Sequence, residues 1–156
     1  MTIRLFDKTS LPDTAKLYEI YLAAYEVEAQ LLGVSKKQFF PLQQPIEVIR
    51  GSKDEIWGLY SDANLIGAVF LERFNNSITI SNLVVAPSSF RQGFAKTLLS
   101  HVFNSCPSVE FFVATGAKNL PAIRLYERFG FLPISEEVVE PDIKLVKLKK
   151  ILATKP

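Results

Sequence analysis

Two stretches of this 156-residue chain carry residue types and spacings that could do chemistry. The first is Phe90-Arg91-Gln92-Gly93-Phe94-Ala95, between an apolar run that stops at Pro87 and a helical pattern that follows. A helix N-terminus presents free N–H groups and the positive end of the helix dipole, so it can hold a phosphate. For those amides to touch an anion, side chains must stand clear, and Gly93 and Ala95 supply that clearance. The same loop also reads as an ordinary βα turn in which Gly93 only relieves crowding. It matches neither the G-x-x-x-x-G-K-[ST] phosphate loop nor the G-x-G-x-x-G dinucleotide loop.

The second stretch is residues 119–131, NLPAIRLYERFGF. Asn119 is an N-cap with Pro121 in the first turn, and Gly130 ends the helix. Asn119 and Tyr126 lie seven residues apart, so two helical turns put them along one side. A tyrosine there can donate a proton; it can equally serve as core, with its hydroxyl bonded locally. Ala122, Leu125 and Phe129 share its face, and Arg124, Glu127 and Arg128 lie opposite. Three other reactive residue types carry less. His101 falls at the edge of an apolar arc with no second ligand spacing to suggest metal, Cys106 has no readable histidine partner, and Trp57 reads as core.

Hydrophobic periodicity predicts the elements that must position these residues. A strand over 2–6 precedes a helix capped by Ser10 or Asp13 that runs to about Leu32, with Gly33 as its C′ stop. Pro41 and Pro45 break residues 34–53, where 46–50 form one or two helical turns. Strands follow at 56–60, 65–70 and 78–85, joined by polar turns, and they are expected to be antiparallel. Then the order changes to helix 91–104, strand 109–114, helix 120–129 and strands 132–139 and 143–150, the last two joined at Pro141-Asp142. Strand–helix–strand implies a parallel pair with a right-handed crossover. The fold expected is one mixed α/β domain over residues 1–156.

Composition narrows the partners. Hydrophobic residues make up 48% and charged residues 22%, and the net charge of +2 is too small and too dispersed for nucleic acid. Lys147, Lys149 and Lys150 alternate with apolar residues as on the wet face of a strand. No stretch approaches the ~20 apolar residues of a membrane span. Arg4, Asp7 and Lys8 interrupt any apolar leader, and the lone Cys106 cannot pair internally, so a cytoplasmic location is expected.

Taken together, the two stretches resemble the GNAT superfamily of N-acetyltransferases. That family carries V-x-P-x-x-[RQ]-x-x-G-x-[GA] after its fourth strand, matched here by Val85, Pro87, Gly93 and Ala95. Its N-x-x-A-x-x-[LF]-Y-x-x-x-G-F pattern is matched by Asn119, Ala122, Leu125, Tyr126, Gly130 and Phe131. The likeness covers roughly residues 78–131, and the order of elements fits the family throughout. One departure is Phe90, where the family has Arg or Gln; arginine stands one place later, at Arg91. A grip made chiefly by backbone N–H groups survives that change, and whether Arg91 adds a charged contact stays open.

The resemblance implies the acyl-CoA N-acyltransferase fold: a mixed, mostly antiparallel sheet whose fourth and fifth strands are parallel and splayed, flanked by helices. It implies acetyl-CoA as co-substrate, an amine acceptor, no metal, and a monomer or homodimer. The coenzyme A pyrophosphate would sit on Arg91, Gln92, Gly93, Phe94, Ala95 and Lys96. Leu83, Val84 and Val85 would bond the pantetheine arm through their backbones, with a main-chain N–H near Val84 polarising the acetyl carbonyl. Asn119 would bond the same arm, and Tyr126 would be the general acid toward the departing thiolate. The acceptor is a primary amine of a small molecule or peptide, and transfer is direct. A non-catalytic acyl-CoA sensor and a transferase of longer acyl groups are the alternatives. The fourth strand carries no acid, so Glu26, Glu28, Glu72, Glu110 or water alone remain as the base.

Overall fold

A computed structural model describes residues 1–107, 109–139 and 142–150. In chain order the elements are β1 (Thr2–Leu5), α1 (Leu11–Leu32), α2 (Glu47–Arg50), β2 (Glu55–Ser61), β3 (Asn64–Phe74), β4 (Ser77–Val85), α3 (Phe94–Ser105), β5 (Glu110–Gly116), α4 (Leu120–Arg128), β6 (Phe131–Val139) and β7 (Ile143–Lys150). Short 3₁₀ turns occupy Phe40–Gln43 and Pro87–Ser89.

Local chemistry accounts for the longest helix. Ser10, not Asp13, is its N-cap: the serine Oγ accepts from the Asp13 N–H at 3.3 Å. At the other end Gly33 turns left-handed, and the Val34 and Gly33 N–H groups donate to Ala29 and Gln30. That pair of bonds is a Schellman stop. The expected β2–β3 turn is tight, with Asp62 at φ 56°, and Asn75 at φ 54° serves the β3–β4 turn.

The strands form one sheet in the order β1-β2-β3-β4-β5-β7-β6, antiparallel everywhere except β4–β5. Helix α3 makes the expected crossover between that parallel pair. The next strand–helix–strand unit does not pair its strands: β7 inserts between β5 and β6. Burial explains the choice. Strand β7 buries Ile143, Val146 and Leu148, whereas β6 is exposed along nearly its whole length, so the more apolar strand takes the interior. The turn expected at Pro141-Asp142 involves Pro141, which lies outside the described residues.

Apolar side chains pack on both faces of the sheet. On one face Leu98, Leu99 and Val102 of α3 and Tyr126 of α4 meet Val69, Ile80, Phe111 and Phe131. On the other, Leu17, Ile20 and Tyr21 of α1 and Ile49 of α2 meet Ile56, Phe70 and Val84. Burying such side chains stabilises by roughly 1.5–3 kcal/mol each before entropy is subtracted.

The feature that makes a site is where the parallel pairing stops. Strands β4 and β5 are in register from Ser77↔Glu110 to Ile80↔Val113 and then part. At that point β4 carries a bulge: Leu71 pairs with Ile80 and Phe70 with Asn82, which leaves Ser81 as the extra residue. Beyond it β4 stays bonded to β3 alone. Gly67 holds that contact close, since a Cβ there would come within 2.6 Å of the Val84 carbonyl oxygen.

Candidate active site

The loop into α3 is built on two left-handed residues, Arg91 at φ 63° and Gly93 at φ 79°. Such backbone cannot continue a right-handed helix, so α3 starts at Phe94 and not at residue 91. Gly93 is its N-cap and, lacking a side chain, offers no cap hydrogen bond. The first-turn amides of Phe94, Ala95 and Lys96 therefore have neither an intrahelical acceptor nor a side-chain cap. Thr97 closes the turn, with its N–H and its Oγ1 each donating to the Gly93 carbonyl at 3.0 Å. A Cβ on Gly93 would meet nothing within 4 Å, so inside the protein this position needs glycine for its backbone angle and not for room. Arg91, Gln92, Gly93 and Lys96 are exposed, and Phe94 and Ala95 are half-buried. The arrangement can hold an anion on backbone amides with two cationic side chains beside it.

A cleft of about 660 Å³ runs between the splayed strands, bounded by α1 and α4. Ser81, Asn82 and Leu83 line it from β4, and Ala114, Thr115 and Gly116 from β5. The strand register decides which backbone groups look into it. The Ala86 N–H donates to Ile66 O, so in the alternating antiparallel ladder Val84 is the residue that exchanges bonds with Ala68. The N–H and C=O groups of Leu83 and Val85 then turn toward the gap. The Val84 backbone is turned to β3 instead, and its side chain is buried against α1.

Helix α4 brings Asn119, Ala122 and Tyr126 to the cleft wall. The Asn119 Oδ1 accepts from the Ala122 N–H at 3.3 Å, which leaves its amide N–H groups as donors toward the Glu28 carboxyl. Tyr126 is 4% exposed and packs edge-on against Phe131, with ring centroids 5.4 Å apart. Burial, and secondarily the charge of Glu28, raises the hydroxyl above its ordinary pKa of 10, so it is a proton donor at neutral pH. None of the hydrogen bonds among the described residues uses this hydroxyl.

Opposite, α1 presents Tyr21, Tyr25, Glu28 and Leu32 at intervals of four, three and four residues, a single helical face. Burial pushes the Glu28 carboxyl above the usual carboxylate pKa, and the Asn119 side chain, the Gly116 backbone and the Thr115 side chain draw it partly back. The Tyr25 hydroxyl donates to Asn82 Oδ1 at 2.6 Å, tying α1 to β4 just past the bulge. Burial, with smaller contributions from Tyr18 and Glu28, pushes Tyr21 up to about 12.

The four acids left open by the sequence separate here. Only Glu28 lines the cleft. Glu26 is exposed and paired with Lys36 at 3.4 Å, Glu110 is exposed and paired with Lys149 at 3.3 Å, and Glu72 is exposed. The signal that singles out Glu28 is its spacing from Tyr21 and Tyr25, three residues that share one stripe of α1. His101 packs at a tilt against Trp57 with centroids 5.2 Å apart, and both are half-buried. Among the described residues no three metal-ligating side chains cluster, and no helix is long and apolar enough to cross a membrane.

A family model described as the acetyltransferase (GNAT) family matches residues 14–131. A curated relative, the UPF0157 protein YqkA of Bacillus subtilis (strain 168), is 30% identical over 117 residues; the match covers 74% of this chain but only 34% of YqkA. The chain therefore spans about a third of that relative's length. Two solved structures share the fold at low identity. The ribosomal-protein-S18-alanine N-acetyltransferase from Escherichia coli aligns with a TM-score of 0.72 at 16% identity, over 99% of this chain and 96% of that one. A GNAT family acetyltransferase from Elizabethkingia anophelis, solved with acetyl-CoA bound, aligns with a TM-score of 0.67 at 18% identity, over 97% of each chain. With the family model spanning most of its length and the parallel β4–β5 pair splayed as that fold requires, the chain belongs to the acetyltransferase (GNAT) family.

Proposed function

We propose that the protein is an acetyl-CoA-dependent N-acetyltransferase, a single domain over residues 1–156 that transfers acetyl directly to a primary amine. The observation that carries the reading is the cleft itself: Tyr126 and Glu28 face it from opposite helices. The lone Cys106 accords with a reducing compartment such as the cytoplasm.

The residues present fit acetyl-CoA. Uncapped amides at Phe94, Ala95 and Lys96 suit a diphosphate, and the unpaired edge of β4 suits an extended amide-bearing chain. Arg91, Gln92 and Gly93 complete the phosphate loop; Leu83, Val85 and the Asn119 amide would hold the arm, with Val84 fixing the strand from behind. The cosubstrate supplies an activated acetyl group and a thiolate leaving group. A Leu83 or Val85 N–H would polarise the acetyl carbonyl.

The residues then manage two protons. Glu28 takes the first from the acceptor ammonium, freeing the lone pair that forms the C–N bond. As the C–S bond breaks, Tyr126 donates to the sulfur, and the second amine proton restores the phenol. The products are an amide, a thiol and one proton released through Glu28. Because burial holds the Tyr126 proton more tightly than a thiol of pKa about 8.5 does, much of its effect lies in the hydrogen bond to the developing thiolate.

Incubation with acetyl-CoA and a panel of primary amines tests the proposal by mass spectrometry of the amines. Acetylated product that needs the protein is expected. Tight acetyl-CoA binding with no product from any amine would instead support an acyl-CoA sensor.

A further inference from the structure

The cleft also carries information about the acceptor, and this inference rests on the transferase reading above. One side of the cleft carries a run of three aromatic rings, Tyr21, Tyr25 and Phe39. Tyr21 and Tyr25 lie 4.7 Å apart between centroids, and Tyr25 and Phe39 lie 6.2 Å apart. Phe40, 71% exposed, stands at the rim, and Leu32 and Ile143 add aliphatic surface. Against this, among the described residues the cleft holds one carboxylate, Glu28. Of the segment that carries Phe39 and Phe40, Gln44 is the polar residue that lines the cleft; it is uncharged, and its Nε2 donates to the Phe40 carbonyl at 3.4 Å. Asn82 already has its Oδ1 bonded by Tyr25.

We propose that the acceptor is a small primary amine with one positive charge and an aromatic body, an arylalkylamine, seated with its ring among Tyr21, Tyr25 and Phe39 and its nitrogen toward Glu28. One half-buried carboxylate neutralises one ammonium. A second ammonium on the same molecule would lie against aromatic and aliphatic groups with no counter-charge, which is costly. Hydroxyl-rich amino sugars would leave most of their polar groups unpaired on such a wall. An aromatic ring instead gains stacking and buried area, and the electron-rich tyrosine faces favour a nearby cation. Glu28 thus selects as well as deprotonates.

The test compares kcat/KM for 2-phenylethylamine with that for putrescine, which is similar in reach but carries a second charge, at fixed acetyl-CoA. Phenylethylamine should be preferred on the order of 100-fold. Gln44→Glu adds one charge at nearly constant volume and should move the ratio about tenfold toward putrescine; a thermal melt checks that the variant folds. A preference for putrescine, no acetylation of phenylethylamine by a protein that binds acetyl-CoA, or a ratio unmoved by Gln44→Glu in a folded variant would each overturn the acceptor assignment. Failure to bind acetyl-CoA at all would overturn the transferase reading beneath it, and the two failures are told apart by the thermal shift with acetyl-CoA alone.

Discussion

At the scale of single residues the account rests on two groups whose environments push them in useful directions. Tyr126 is buried and protonated, and its ring packs against Phe131 whether or not the hydroxyl is present. Tyr126→Phe should therefore leave acetyl-CoA affinity and melting temperature nearly unchanged while kcat falls by the ~10²–10⁴-fold typical of a positioned acid. Equal kcat values in wild type and variant, with chemistry rate-limiting, would reduce Tyr126 to packing. Glu28 makes a pH prediction whose sign follows from its raised pKa. A base must be ionised, so activity should decline with falling pH while still above the ordinary carboxylate range, and Glu28→Gln should remove that limb together with most of the rate. The same shift has a stability consequence. Where the folded pKa lies above the unfolded one, ionisation favours the unfolded chain, so stability is lost as pH rises through this window. Glu28→Gln should accordingly raise the melting temperature at pH 7 relative to wild type, and the gain should vanish near pH 4. A gain equal at both pH values would mean that the carboxylate is not held at an energetic cost.

At the scale of elements, the loop before α3 is the sharpest case. Arg91 and Gly93 are both left-handed, but only glycine adopts that angle without strain. Gly93→Val should cost at least about 1–2 kcal/mol of stability from the backbone alone and should lose acetyl-CoA binding. Arg91→Gly keeps the angle and removes a charge, so it should bind with modest loss; the reverse order of effects would show that the loop grips through the arginine. Much of this level was legible in the sequence. Ser10, Gly33, Asn119 and Pro87 mark their boundaries by local chemistry that needs no tertiary context. The start of α3 was not, because a helical apolar pattern extends through residues whose backbone turns the wrong way. Nor was the insertion of β7 between β5 and β6, which is decided by how much apolar surface two neighbouring hairpin strands can bury. The bulge at Ser81 leaves no composition signal at all, and it is what redirects β4.

At the scale of the whole molecule, the seven-stranded sheet is opened along half of one parallel pair, and two helices on opposite faces reach the opening. The two motifs and the order of elements made the fold readable; the choice among Glu26, Glu28, Glu72 and Glu110 was not, because which helical stripe meets a cleft depends on packing between distant segments. A ligand that spans this opening bonds both strands and α3 at once, so it should stabilise the entire fold. Acetyl-CoA at ~100 times its Kd should add about 2.7 kcal/mol, seen as a rise of several degrees in the melting temperature, and no rise at millimolar acetyl-CoA would remove the cosubstrate from the account. The most direct measurement is the rate of thiol release from acetyl-CoA by the wild-type protein, with and without a primary amine. The account predicts release that rises and saturates with amine concentration, with one acetylated amine formed per thiol, and a large loss in both Tyr126→Phe and Glu28→Gln. Release that ignores the amine, or that is unchanged in both variants, would contradict it.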